Sequence, residues 1–396
     1  MREYLLVVLV AAAVTYLATV VARELALRWG AVAKVRGRDV HVTPIPYFGG
    51  MAMLVGIVAA YAVARQLPFL SYRGSESLFR DAGVVVLAGA VICLVGIADD
   101  LWEISPLMKA GAQVLVASGL VLSNVQFYSV PLPGGGIFVM DELQGALLTV
   151  IIVVVTVNAV NFVDGLDGLA AGVVGIGALA FFWFCYQLAN VNGATLANTG
   201  ALLSALLAGA CLGFLGHNFH PARLFMGDSG SMLIGLMLSA SAITLTGQFP
   251  ATELTADADG GTASLLPVLL PVLLPVAILI IPLTDLVLAV LRRAKKRVSP
   301  FEADKQHLHH RLLEIGHSHR RAVLVMWMWA ALVGFGTVTM SLYSGALVAA
   351  VLAVGFVATL AVTLLVRSAE PVDEVALAAP PEELATPPED GATEGL

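Results

Sequence analysis

The chain has 396 residues, of which 59% are hydrophobic and 12% are charged, and its mean hydropathy is +0.89. Because soluble domains carry about 25% charged residues, this composition excludes a soluble globular protein and indicates an integral membrane protein. The formal net charge of −7 equals that of the segment after residue 366, which holds eight acids and one arginine, so the rest is neutral overall.

Apolar segments of bilayer-spanning length recur along the chain. A span needs about 20 mostly apolar residues, and this rule predicts eleven transmembrane helices, at 4–22, 48–65, 82–98, 108–122, 143–160, 168–188, 200–216, 229–246, 264–289, 322–343 and 345–366. The expected fold class is all-α, a polytopic helical membrane bundle over residues 1–366. Between the fourth and fifth spans, PLPGGG predicts a short β-hairpin. Residues 367–396 are rich in Pro, Ala and Glu and are expected to be a disordered acidic cytoplasmic tail.

The distribution of Lys and Arg predicts the orientation in the membrane. With the N-terminus outside, seventeen of the 21 Lys and Arg residues lie in segments expected on the cytoplasmic side, and four lie on the other side. This topology also places the C-terminus in the cytoplasm. The first apolar run lacks a small-residue cleavage site, so it is expected to be a retained span.

Five polar clusters interrupt the apolar chain, and in this topology all five face the cytoplasm. They are residues 41–50 (HVTPIPYFGG), 99–109 (DDLWEISPLMK), 158–168 (NAVNFVDGLDG), 217–231 (HNFHPARLFMGDSGS) and 304–311 (DKQHLHHR). Several of them precede or open a helix, and the unpaired N–H groups of a helix N-terminus favour phosphate. Carboxylates, amides, imidazoles and glycines on one face predict an active site for a polyanion.

Acids at the ends of two spans predict a cation. Asp99 and Asp100 are adjacent at a membrane boundary, where repulsion and desolvation call for a divalent metal or for Lys109. A helix-capping pair at the interface is the alternative. Asp228, in GDSGS, suits a phosphate site only if it holds Mg²⁺, which prefers one or two protein oxygens plus substrate phosphates.

The segment NAVNFVDGLDG places four polar side chains at three-residue spacing across a glycine turn. They are Asn158, Asn161, Asp164 and Asp167. Capping of the next helix would explain Asp167 alone, so a functional role is favoured for the set.

Histidines and cations share the last cluster. His307, His309, His310 and Arg311 lie in a basic loop and are interpreted as an anion clamp. Zinc is the alternative, but no cysteine accompanies them and the ligand spacing is poor.

In this order, the segments resemble the polyprenyl-phosphate N-acetylhexosamine-1-phosphate transferase family, glycosyltransferase family 4. The resemblance covers residues 35–320 and rests on PxPxxGG, DDxxE with its following Pro and Lys, NxxNxxDGLDGL, GDSGS and HLHHRL. Within the family, the pattern is similar to the WecA/TagO branch, which uses UDP-N-acetylglucosamine (UDP-GlcNAc). The relative that makes the first lipid intermediate of peptidoglycan carries an HHHFE-like run instead. Tyr47 departs from the family, since many relatives have Arg there.

The resemblance implies transfer of GlcNAc-1-phosphate from UDP-GlcNAc to undecaprenyl or decaprenyl phosphate, with release of UMP. The reaction would initiate a lipid-linked glycan of the cell envelope at the cytoplasmic face of a bacterial plasma membrane. The expected cofactor is Mg²⁺, for which Mn²⁺ can substitute, with Asn161 and Asp228 as ligands. The expected partners are the two substrates and the membrane, without nucleic acid, and a homodimer is allowed.

The resemblance also implies roles for individual residues. Asp99 would orient or deprotonate the attacking phosphate with help from Asp100, although a monoester with a second pKa of about 6 needs no base. Asp164 and Asp167 would serve the nucleotide and metal environment and complete the catalytic set. The expected substrate-binding residues are Gly49, Gly50, Lys109, Asn158, His307, His309, His310 and Arg311.

Three alternatives stay open. A secondary transporter would also have many spans and acids, but its site would lie near the bilayer midplane. A transferase acting on UDP-MurNAc-pentapeptide would keep the chemistry and change the sugar. A purely structural membrane scaffold would not require DGLDG, GDSGS and HLHH together.

Overall fold

The computed structural model describes residues 1–32, 45–73, 76–131, 137–191, 197–246, 318–343 and 345–365. Within these ranges the chain is mainly helical, with one antiparallel hairpin of β1 (Ser129–Pro131) and β2 (Ile137–Val139). The helices are α1 (Arg2–Trp29), α2 (Gly49–Ala64), α3 (Pro68–Arg73), α4 (Glu76–Trp102), α5 (Pro106–Leu122), α6 (Glu142–Val163), α7 (Leu169–Val191), α8 (Ala197–Asn218), α9 (Gly227–Thr246), α10 (His319–Leu342) and α11 (Ala346–Leu365).

The helices confirm a polytopic helical membrane protein. Eight of those in the described ranges are long and apolar enough to cross a bilayer, and α2 and α5 are shorter apolar helices. These ten coincide with ten of the predicted spans. The ninth predicted span, 264–289, and the predicted tail, 367–396, lie outside the described residues. The hairpin predicted around PLPGGG is confirmed by the pairing of β1 with β2.

The buried centre of the bundle is built from α7, α8 and α9. Helix α8 packs against α1, α2 and α7, while α9 packs against α4 and α6. Small residues allow these close approaches, as is typical of membrane helices. A Cβ at Gly213, for example, would lie 2.2 Å from the Ala12 carbonyl oxygen of α1. In contrast, α11 contacts mainly α10 and leaves most of its apolar surface exposed, as expected for a lipid-facing helix.

The two ends of the bundle are defined by contacts between separate helices. At one end, the Glu3 carboxylate accepts the backbone N–H groups of Phe69 and Leu70, and the Tyr4 hydroxyl donates to Asn198. At the other end, the start of α2 meets the segment before α9, and the ends of α4 and α6 meet the start of α9. The described parts of the predicted polar clusters therefore lie together at one end.

Candidate active site at the N-terminus of helix α9

The first turn of α9 is held by a carboxylate from α4. Asp100 accepts the backbone N–H of Asp228 at 2.8 Å and that of Ser229 at 3.3 Å. Gly227 precedes them with φ +69°, and a Cβ there would lie 2.5 Å from the Asp100 carboxylate. Only glycine suits both this left-handed backbone and the close approach. Asp100 therefore caps α9 and fixes the direction in which Asp228 projects.

Lys109 joins two carboxylates from different helices. Its Nζ lies 2.6 Å from Asp99 Oδ2 and 2.6 Å from Asp228 Oδ2. The other oxygen of Asp228 accepts a hydrogen bond from Asn161 Nδ2 at 3.0 Å. Asp99 Oδ1 is buried and has no hydrogen-bond partner in the described part of the chain. The Lys109 ammonium group thus compensates part of the negative charge of Asp99 and Asp228, and Asp99 Oδ1 is left as a hydrogen-bond acceptor without a donor among the described residues.

Asp164 adds a further acid directly after the end of α6. Its carboxylate accepts no hydrogen bond from the residues that the structure describes. Removal from water, followed by the charges of Asp228, Asp100 and Asp167, raises the pKa of Asp164 to about 8. All the charges from described residues that contribute to this shift are acidic, and among those residues no cation compensates the ionised form of Asp164.

These residues form one group, which we call the carboxylate cluster. It consists of Asp99, Asp100, Lys109, Asn161, Asp164 and Asp228. Asp99 Oδ1 has no hydrogen bond, and neither the Asp164 carboxylate nor the Asn161 amide oxygen accepts one from the part of the chain that the structure describes, since the Nδ2 group of Asn161 donates to Asp228 and Ser231. Carboxylate and amide oxygens are the ligands that Mg²⁺ takes. The donor set and the excess of acids therefore fit a hard divalent cation.

Asn158 lies one turn before Asn161 and is used within the protein. Its Nδ2 donates to Gln113 Oε1 at 2.6 Å and to the Val154 carbonyl at 2.8 Å. The bond to Gln113 ties α6 to α5 at the level of the site, and the bond to Val154 lies within α6. A contact of Asn158 with substrate stays a prediction.

Asp167 points toward a pair of histidines. Its carboxylate is 2.8 Å from His220 Nδ1 and accepts the Ala222 N–H at 3.0 Å, while its backbone N–H donates to His319 Nε2 at 3.2 Å. Neither histidine is among the predicted site residues, and His319 is 152 residues from Asp167 along the chain. Only the tertiary fold brings it there.

Gly49 and Gly50 lie at a helix–loop contact. Their N–H groups donate to the carbonyls of Phe225 and Met226 at 3.0 and 3.2 Å, and a Cβ at Gly50 would lie 2.2 Å from the Gly230 nitrogen. This contact accounts for both glycines without a ligand, so their predicted substrate contact stays untested. His307, His309, His310 and Arg311 lie outside the described residues.

Comparison with known proteins places the chain among transferases. The family model described as glycosyl transferase family 4 matches residues 82–246, which include all six members of the carboxylate cluster. The chain is 45% identical over 368 residues to the decaprenyl-phosphate N-acetylglucosaminephosphotransferase of Mycolicibacterium smegmatis, covering 92% of this chain and 89% of the relative. The chain belongs to glycosyl transferase family 4.

Further relatives of this family 4 protein have related names. The decaprenyl-phosphate N-acetylglucosaminephosphotransferase of Mycobacterium tuberculosis is 46% identical over 339 residues, 85% of this chain and 82% of the relative. A probable undecaprenyl-phosphate N-acetylglucosaminyl 1-phosphate transferase of Bacillus subtilis is 30% identical over 318 residues, 78% of this chain and 77% of the relative. The predicted family is confirmed.

Proposed function

We propose that this protein transfers GlcNAc-1-phosphate from UDP-GlcNAc to decaprenyl phosphate and releases UMP. The relatives at 45% and 46% identity are named for decaprenyl phosphate, whereas the relative at 30% is named for undecaprenyl phosphate. The observation that carries the proposal is the carboxylate cluster, because it assembles acids, an amide and a lysine from four helices at one end of an apolar bundle.

The location of the cluster suits the two substrates. A nucleotide sugar is water-soluble and a prenyl tail is lipid-soluble, so the reacting phosphates can meet only where the membrane touches water. The excess of Lys and Arg that the sequence predicts on the side of the polar clusters supports the cytoplasmic face. We propose that the protein has eleven spans in a bacterial plasma membrane, with the N-terminus outside and the C-terminus inside.

The reaction brings two anions together, so positioning and charge compensation are the main tasks of the protein. Mg²⁺ bound by Asp228 and Asn161, with Asp99 and Asp164 offering further oxygens, would neutralise charge on the diphosphate. Lys109 lies between Asp99 and Asp228, so its ammonium group is placed to contact a phosphate oxygen once a metal satisfies those acids. The first-turn N–H groups of α9 are directed to Asp100, which keeps the helix start in place.

Asp99 is the residue that we assign to the acceptor substrate, decaprenyl phosphate. Its open Oδ1 atom is buried beside Lys109, and a carboxylate there can orient the phosphate or accept its remaining proton. Because that phosphate is largely dianionic at neutral pH and an ionised carboxylate donates no hydrogen bond, the larger contribution of Asp99 is to hold Lys109, whose ammonium group can contact the phosphate.

The direct test is an assay with purified protein in detergent or nanodiscs. Labelled UDP-GlcNAc and decaprenyl phosphate, with Mg²⁺, should give lipid-linked GlcNAc-1-phosphate and one UMP per product. Omission of divalent ions or use of UDP-MurNAc-pentapeptide should abolish product, and undecaprenyl phosphate should be a poorer acceptor. Transfer from UDP-MurNAc-pentapeptide at an equal rate, or turnover in EDTA, would contradict the proposal.

A further inference from the structure

The turn between α6 and α7 is held by side chains from two distant parts of the chain. The Asp167 N–H donates to His319 Nε2, and the Asp167 carboxylate accepts from Ala222 N and from His220 Nδ1. A carboxylate oxygen can only accept, so His220 is protonated at Nδ1, whereas His319 accepts at Nε2 and is unprotonated there. The two imidazoles therefore have complementary hydrogen-bonding roles around one residue.

The next residue of the turn is held in the same way. The Gly168 N–H donates to Asn218 Oδ1 at 2.9 Å, and the Gly168 carbonyl accepts from Trp327 Nε1 at 3.2 Å. Asn218 is fixed in turn by its own bond to the Leu224 carbonyl. Thus the N–H groups of Asp167 and Gly168 both donate to side chains, and the Gly168 carbonyl accepts from the Trp327 indole and also from the Gly172 N–H of α7.

Helix α10 contributes two of these contacts, His319 at its first residue and Trp327 two turns later. The Trp327 indole lies so close to α7 that a Cβ at Gly172 would be 1.9 Å from it. Helix α10 therefore packs closely on α7, and its first residue, His319, contacts the turn between α6 and α7. The helix thus contacts both the Asp167 N–H, through His319, and α7, through Trp327.

A metal site at the histidines is a competing explanation. Ligand atoms of Asp167, His220 and His319 lie within 4.8 Å of one another. However, the imidazole rings are stacked, with centroids 4.3 Å apart and planes only 17° from parallel. A metal ion about 2.0–2.1 Å from each ring nitrogen must lie near both ring planes, and nearly parallel, separated planes share no such point. The geometry favours hydrogen bonding to the turn.

We propose that His319, supported by His220, is a positioning residue that fixes this turn so that Asp164 stays in the carboxylate cluster. Asp164 lies at the start of the turn and Asp167 near its end, three residues apart, so a fixed Asp167 restricts where the Asp164 carboxylate can lie. Catalytic geometry is sensitive on this scale, since a displacement of about 1 Å can cost about 10²-fold in rate. The functional part of this inference rests on the proposed transferase activity.

The test compares His319→Gln, which keeps a side-chain acceptor, with His319→Leu, which does not. Hydrogen–deuterium exchange of the peptide spanning 164–170 reads the turn without metal or substrate. In His319→Leu, the Asp167 amide should exchange roughly fivefold faster than in wild type, the size expected for one lost hydrogen bond. His319→Gln should exchange at nearly the wild-type rate. Asn198→Leu removes a buried acceptor at the opposite end and should leave the turn unchanged.

Kinetics on the same variants test the consequence for the site. His319→Leu should lose about 10²-fold in kcat, with a smaller change in KM for UDP-GlcNAc, and His319→Gln should recover most of the loss. Equal exchange or equal kcat in the Gln and Leu variants would overturn the positioning role. So would zinc or cobalt bound to wild type and lost in both variants, which would identify a metal site. If wild type shows no GlcNAc transfer, the proposed function fails, and the exchange data still decide the inference.

Discussion

The two ends of the bundle treat their acids differently. At the end near the start of α1, Glu3 accepts two backbone N–H groups, Asp81 pairs with Arg80, and Asp141 caps α6 by accepting the Gln144 N–H. At the end with the carboxylate cluster, Asp99 and Asp228 share Lys109, Asp99 keeps one oxygen without a hydrogen bond, and Asp164 accepts no hydrogen bond from the described residues.

This difference distinguishes acids that stabilise the fold from acids that form a functional site. A carboxylate removed from water without a partner costs free energy, so the acids near α1 are arranged as expected for structural roles. In the carboxylate cluster, the free-energy cost of burying these acids is not fully compensated by the described residues. Such an arrangement is typical of a site that binds a cation or a substrate. The following predictions test the contrast.

The largest effect is expected from removing Asp228. Asp228→Ala takes away the carboxylate that meets both Lys109 and Asn161, and GlcNAc transfer should fall by at least about 10²–10³-fold. Glu142→Gln, an exposed acid in the first turn of α6 at the opposite end, is the control and should keep wild-type turnover. Equal turnover in the two variants would remove Asp228 from the site.

Lys109→Met removes the cation between Asp99 and Asp228. The acids then repel each other, so the free energy of unfolding in EDTA should fall by about 3 kcal/mol. Addition of Mg²⁺ should stabilise this variant more than it stabilises wild type. Thermal unfolding with and without Mg²⁺ measures both effects. Arg65→Met, an exposed cation at the other end, should change neither, and the same Mg²⁺ response in Lys109→Met and wild type would contradict the counterion role.

Two glycines differ in the space that surrounds them, one in close packing and one in open space. A Cβ at Gly50 would lie 2.2 Å from the Gly230 nitrogen, whereas nothing lies within 4 Å of a Cβ at Gly111. Gly50→Ala should destabilise the protein by about 1–3 kcal/mol and lower turnover by displacing α2 from the start of α9. Gly111→Ala, within α5, should be neutral or stabilise by up to about 1 kcal/mol. Similar melting temperatures for the two variants would contradict the close contact.

A further expected effect is a pH dependence of stability. The pKa of Asp164 is about 8 in the folded protein and about 3.9 in an unfolded chain, so folding favours the protonated acid. In EDTA, the contribution of Asp164 to stability should therefore decline as pH rises from about 4 to about 8 and level off above that range. Asp164→Asn should flatten the decline measured by thermal unfolding between pH 6 and 8.5, and an unchanged slope would contradict the assignment.

The predicted spans and the order of polar clusters depended on local features of the sequence. Apolar length, Gly-rich turns and acids at span ends are readable from the chain, and they located the members of the carboxylate cluster. Their partners were not readable. Asp100 caps a helix that begins 127 residues later, at Gly227, and His319 meets Asp167 across 152 residues. Such pairings depend on how helices pack, which hydrophobic periodicity does not encode.

The most direct measurement is a count of Mn²⁺ ions bound to the purified, substrate-free protein by electron paramagnetic resonance. We expect one tightly bound ion per wild-type chain, loss of that ion in Asp228→Ala, and retention in Glu142→Gln. A wild-type chain that binds no ion, or an Asp228→Ala chain that binds it as tightly as wild type, would contradict a divalent cation site formed by these acids.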